Sequence, residues 1–105
     1  MIAIGKNIDG EEVEVKMLFD VILICTHKKL IEIKIPDLVQ SIYCSDNLLT
    51  ELKLPDNIKY IECYDNPIKE IRLPKKIKKA WIPMNCKVLN LSYFKNKKKV
   101  EIKFM

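Results

Sequence analysis

The 105-residue sequence has two glycines, one arginine, one histidine and one tryptophan, and each scarcity excludes something. With Gly5 and Gly10 alone there is no glycine-rich loop to cradle a phosphate, and no GxSxG turn to present a serine nucleophile. His27 stands alone and no CxxC pair occurs, so neither paired metal ligands nor a Cys–His couple is available. No catalytic residue, metal or cofactor is therefore expected, and an enzyme is not. No run of about 18 apolar residues occurs, which excludes a spanning helix. Lys6, Glu11 and Glu12 interrupt the beginning of the chain before a secretory apolar region can form. The expected location is intracellular and cytoplasmic, and the length suits one domain.

What is present describes an ordered chain: 49% of residues are hydrophobic and 31% charged. Basic residues are almost all lysine, and isoleucine and asparagine are plentiful. That skew fits an AT-rich coding sequence, as in AT-rich microbes or certain large DNA viruses. The net charge of +5 is unevenly divided. Residues 1–66 carry seven lysines against twelve acidic residues, and residues 67–105 carry twelve basic residues against two acidic ones.

A shift of 19 residues aligns Pro36, Pro55 and Pro74, then Asn47, Asn66 and Asn85, then Cys25, Cys44 and Cys63. Three residue types thus keep one period. The second unit reads Val39, Ile42, Cys44, Asn47, Leu49; the third Ile58, Ile61, Cys63, Asn66, Ile68; the fourth Ile77, Ala80, Ile82, Asn85. A degenerate first unit contains Leu23, Cys25 and Leu30, with Asp20 at the first apolar position and Lys28 where the asparagine belongs.

The spacing LxxLxLxxNxL over roughly residues 20–91 resembles the core segment of the leucine-rich repeat family. The intervening LIEIKIP, LTELKLP and IKEIRLP resemble the short proline-bearing repeats of bacterial effector proteins. The resemblance implies a solenoid of about four repeats with a short parallel sheet. Nineteen residues leave no room for an outer helix, so an extended or polyproline-like return path is expected. Ile2, Ile4, Val13 and Val15 around GKNIDG read as an N-terminal hairpin cap over 1–19, and Leu89 and Leu91 restart the apolar alternation one residue early. Val100, Ile102 and Phe104 read as a closing strand in a C-terminal cap over 92–105, with Lys97, Lys98 and Lys99 guarding its edge. The rival is an antiparallel meander turning at SDN and YDN, but Asp-Asn is a weaker hairpin signal than Asn-Gly and a meander needs no shared period.

Within a solenoid, Asn47, Asn66 and Asn85 are expected to form a structural ladder, each amide serving backbone groups of its own and the next unit. Cys25, Cys44 and Cys63 take an inward strand position and stack as small buried hydrophobes, and a soft-metal or redox role is the alternative. Cys86, just past Asn85, stands outside that column and is expected to be more exposed.

Strand alternation sends the residues between the buried ones to the concave face in three columns: Ile22, Ser41, Tyr60, Lys79; Ile24, Tyr43, Glu62, Trp81; Thr26, Ser45, Tyr64, Pro83. Four strands make a face about 20 Å wide. The expected function, implied by the resemblance, is a non-enzymatic protein-interaction module whose contacts are Tyr43, Tyr60, Glu62, Tyr64, Lys79 and Trp81. The alternative is nucleic-acid binding through Lys75, Lys76, Lys78, Lys79, Lys97, Lys98 and Lys99, helped by Tyr93 and Phe94. The acidic front and basic back also suit head-to-tail self-association.

Overall fold

A 19-residue unit with one apolar stripe cannot bury it alone, so units must stack. In the computed structural model, which describes residues 3–105, they do. Ile2 of the expected hairpin lies outside the described residues. Along the chain the elements are β1 (Ala3–Asn7), β2 (Glu12–Leu18), β3 (Ile22–Ile24), β4 (Leu30–Ile33), β5 (Ser41–Tyr43), β6 (Tyr60–Glu62), β7 (Glu70–Ile71), β8 (Lys79–Ile82), β9 (Lys87–Val88), α1 (Leu91–Phe94) and β10 (Glu101–Phe104). β3, β5, β6 and β8 pair in parallel with a constant offset of one repeat, Ile22 opposite Ser41, Tyr60 and Lys79 in turn. The chain is a mostly β solenoid of about four coils, with one short helix among the described residues, and the parallel pairing rules out a meander.

Inside, the columns Leu23, Ile42, Ile61, Ala80 and Cys25, Cys44, Cys63, Ile82 are all fully buried. The outer wall is thin, as a short repeat requires. Its only strands among the described residues are β4, β7 and β9, and residues 48–55 run without a ladder.

Asn47 and Asn66 build the ladder. The Asn47 Nδ2 donates to the carbonyls of Cys25 and Cys44, both at 2.9 Å, and the Asn66 Nδ2 donates to those of Cys44 and Cys63, both at 3.0 Å. The Oδ1 atoms accept from the Leu30 and Leu49 amides at 3.0 Å. Each amide therefore bridges its own coil and the preceding one, not the next. That is how the first coil does without an asparagine at Lys28, whose backbone N–H donates to Asn47 Oδ1.

Asn85 is a correction to this ladder, because it is exposed and stands outside it. In the earlier coils the residue before the ladder position, His27, Asp46 or Asp65, has φ between 55° and 60°, and that left-handed step aims the next side chain inward. Asp and His adopt it more readily than other residues. The fourth coil has Met84 there, which does not adopt it, and the chain leaves by another turn in which the Cys86 amide bonds to the Pro83 carbonyl. The phase slips, so Cys86 and Val88 become the buried residues, while Leu89 and Leu91 are exposed. Cys86 was expected to be the exposed thiol and is 5% accessible. Asn90 takes over the bridging: its Oδ1 accepts from the Leu73 amide at 3.0 Å and its Nδ2 donates to the Leu73 carbonyl at 2.7 Å.

The N-terminal hairpin straps both walls of the first coil. β2 is antiparallel to β3, and β1 is antiparallel to β4. Its inner side puts Ala3 and Val15 into the core, and its outer side shows Ile4, Lys6, Glu12 and Glu14 to solvent. Its turn is held by Asn7, whose Oδ1 accepts from the amides of Asp9 and Glu11, and Gly10 supplies the φ of 81°. At the far end Phe94 of α1 closes the core, and β10 adds a fifth parallel strand beside β8, Glu101 opposite Lys79.

Candidate functional site on the concave face

Two additional strands widen the face beyond the four expected. β2 places Lys16 and Leu18 beside Ile24 and Ile22, and β10 places Glu101 and Lys103 beside Lys79 and Trp81. Six strands at the usual spacing span about 25 Å. Because β3, β5, β6 and β8 are each flanked by two strands and anchored by a fully buried inward residue, the side chains between are presented from a firmly held frame.

Register fixes the first two columns as the sequence implied. Tyr60 is exposed, and Tyr43, Glu62, Lys79 and Trp81 are half-buried, so these five side chains share one face by register and remain accessible, while Tyr64, also half-buried, follows the end of β6. The third column departs from expectation, since Ser45 and Pro83 are buried. The hydroxyl of Ser45 is enclosed and finds no hydrogen-bond partner among the described residues. An enclosed hydroxyl without a partner is a cost that packing must offset.

Trp81 is the most elaborated position. The Lys79 ammonium lies 3.6 Å from its ring centroid and the Lys103 ammonium 5.8 Å, so cations attend the indole from two neighbouring positions. Its Nε1 donates to the Glu101 carboxylate at 3.2 Å. Lys79 also lies 3.9 Å from Glu62, which links the Trp81 group back to the tyrosines of the second and third coils. Glu101 and Lys103 were not nominated from the sequence. Their spacing from Trp81 breaks the repeat, because the last coil has 22 residues between equivalent positions instead of 19.

The lysines of the nucleic-acid alternative are distributed over several surfaces. Lys79 is on the concave face beside Trp81, and Lys97, Lys98 and Lys99 lie in the turn before β10. Lys75 and Lys76 line an open outer trough of about 680 Å³ with Lys53, Arg72 and Asn90. Tyr93 joins two of these groups, with Lys75 at 5.6 Å and Lys97 at 4.8 Å from its ring, and Phe94 packs edge-on against it. Lys78 is exposed at the corner between outer wall and sheet.

The chemistry of the remaining titratable groups is that of a packed interior. All four cysteines are free thiols and buried. The Cys44 thiol is pushed well above its usual range by a hydrogen bond with Cys25, then by burial and the neighbouring thiols. Burial, then Cys86, pushes Cys63 far up, and burial, then Glu70, raises Cys86. Such thiols are poor nucleophiles. His27 pairs with Asp46 across the first two turns on the exposed rim. Among the described residues no group of three His, Cys, Asp or Glu side chains is placed to hold a metal ion, and no helix is long and apolar enough to cross a membrane.

No family model matches the chain, and neither a curated protein nor a solved structure is found to match it. The class of protein is thus defined by its architecture, a short capped β-solenoid with an aromatic and charged sheet face.

Proposed function

We propose that this chain is a short-repeat leucine-rich repeat protein that binds a protein partner on its concave face and catalyses no reaction. The repeat spacing and the asparagine ladder that bridges successive coils support the family reading. One observation carries the functional one: Trp81, held between Lys79, Lys103 and Glu101, is continuous through Glu62 with Tyr43 and through Lys79 with Tyr60 on the sheet, and Tyr64 follows at the end of β6. Tyr and Trp supply large contact area at low entropic cost, and flanking charges select the partner and its orientation. The free thiols suit a reducing compartment, in keeping with action inside a cell.

The test is affinity capture from the source cell, repeated with Trp81→Ala and Tyr60→Ala, each checked for unchanged circular dichroism. Each variant is expected to weaken capture about 30-fold, the loss typical of a central hot-spot residue at roughly 2 kcal/mol. Undiminished capture by both would move the site off this face.

A second reading, nucleic-acid binding, is favoured by the exposed Tyr93 ring with Lys75 and Lys97 beside it. A stacking platform flanked by cations suits single strands. A salt-titrated gel shift decides it, and no retention of a single-stranded oligonucleotide at low ionic strength removes it.

A further inference from the structure

We propose that the open edge of β10 is a second interaction surface, which accepts an extended acidic peptide segment as an added strand. The inference is independent of the concave-face reading and stands whether or not Trp81 contacts a partner.

The two ends of the sheet differ. At the first coil the hairpin closes the concave part of the sheet, since β2 pairs with both β3 and β1, and the sheet ends beyond β1 at β4 on the outer wall, where the Leu30 carbonyl accepts from the Leu48 amide of the next coil. At the last coil, among the described residues, β10 pairs with β8 alone. The Glu101 amide donates to Lys78, and the Met105 amide donates to Ile82, while the Met105 carbonyl accepts from Met84. Successive strand residues turn their N–H and C=O groups to opposite sides, so Ile102 and Phe104 turn theirs to the open edge. The side chains repeat the message. Ile102 and Phe104 occupy the inward columns of Ala80 and Ile82, which are fully buried, yet Phe104 is 39% exposed and Ile102 half-buried. Both columns end only partly covered, and one more strand with apolar residues at alternate positions would continue them.

Charge selects the occupant. Lys95, Lys97, Lys98, Lys99 and Lys103 are exposed in or just before β10, and the one acidic residue of the strand, Glu101, is engaged by Trp81. Lysines at an edge repel another basic edge, which disfavours tail-to-tail pairing of two copies. Head-to-tail pairing that continues the concave sheet meets a hairpin whose strands already have two neighbours each. An acidic strand meets neither obstacle: its apolar side chains would extend the inward columns and its carboxylates would lie beside Lys103 and the lysines of the preceding turn. This is strand addition, in which main-chain bonds supply affinity and alternate side chains supply specificity.

The probe is a short fluorescent peptide of alternating glutamate and valine, titrated into the full chain, with a lysine–valine peptide as its counterpart. The acidic peptide is expected to bind, to weaken about tenfold or more between low and physiological salt, and to lose binding when the amides facing β10 are N-methylated. Hydrogen exchange of the Ile102 and Phe104 amides is expected to slow on binding. The triple variant Lys97→Glu/Lys98→Glu/Lys99→Glu, on exposed turn residues, is expected to lose the preference for the acidic peptide. Slowed exchange in Trp81→Ala keeps this surface separate from the concave one. Absence of binding, equal binding of the lysine peptide, or exchange at Ile102 and Phe104 that the peptide leaves unchanged would overturn the proposal. So would a dimer by size exclusion whose formation alone protects these two amides.

Discussion

Asn66 and Asn85 are the same residue at the same offset of the repeat, and the structure gives them opposite fates. Asn66 is buried and makes four hydrogen bonds, to the Leu49 amide and the carbonyls of Cys44, Cys63 and Tyr64. Asn66→Ala leaves those backbone groups unpaired in the interior, and urea unfolding is expected to show a loss of about 2–3 kcal/mol. Asn85→Ala, at an exposed position, is expected to change stability by less than about 0.5 kcal/mol. Equal costs would mean that Asn85 joins the ladder in solution. A second residue-scale prediction concerns Phe19, which with Asp20 forms the centre of the Leu18–Val21 turn in the three-residue connection between β2 and β3, with φ of 53° and 57° and the Val21 amide bonded to the Leu18 carbonyl. Positive φ at both central residues marks the hairpin turn that favours Asn-Gly. An aromatic side chain there is strained, and it is 88% exposed, so it packs little in return. Phe19→Asn is expected to stabilise the chain by about 1 kcal/mol in thermal or urea unfolding, and a loss of stability would show that Phe19 packs in solution.

At the scale of elements, the strands that follow the repeat were legible in the sequence and those that break it were not. β3, β5, β6 and β8 were legible because apolar residues, cysteines, asparagines and prolines recur together, and a one-residue error of register would expose the whole inward set. The slip after β8 was hidden because its cause is conformational. Met84 occupies a position that asks for a left-handed backbone, and the pattern of side-chain polarity does not record that demand. Cys86, Val88 and Asn90 therefore took roles that Asn85, Leu89 and Leu91 had been assigned. Glu101 and Lys103 were missed as neighbours of Trp81 for the related reason that β10 returns after a longer coil. The Asn90–Leu73 offset of 17, which matches Asn47–Leu30 and Asn66–Leu49, was the one signal that could have found the new ladder position. The hairpin cap was readable from alternation, but its closeness to the outer wall was not. A Cβ on Gly5 would lie 2.9 Å from Leu30 Cδ2 and 3.0 Å from the Glu32 carbonyl oxygen. Because a backbone oxygen cannot swing aside, Gly5→Ala is expected to push β1 from β4 and to cost about 1–3 kcal/mol. The change should appear as faster hydrogen exchange in β1 and β4, and unchanged exchange there would refute the tight fit.

For the whole molecule the column of thiols is the feature that runs through successive coils, and it ties stability to pH. Cys44 and Cys63 have folded pKa values raised above the unfolded thiol value of about 8.5, by the hydrogen bond with Cys25 and burial for the first and chiefly by burial for the second. A raised folded pKa means that the unfolded chain gives up the proton first. The stabilisation is therefore complete below about pH 8.5 and is lost as the pH rises above it. Each such thiol contributes a slope of about 1.4 kcal/mol per pH unit, so two titrating together approach roughly 3 kcal/mol per unit between about pH 9 and 10. Stacked coils depend on their neighbours, so ionisation in the middle of the column weakens the interfaces on both sides. Urea midpoints measured from pH 7 to 10 are expected to be level up to about 8.5 and then to fall. The double variant Cys44→Ala/Cys63→Ala is expected to be less stable at pH 7, because it leaves two small voids, and to lose most of the alkaline slope. A wild-type midpoint that stays level through pH 9.5, or a variant that keeps the full slope, would place the alkaline sensitivity outside the thiol column.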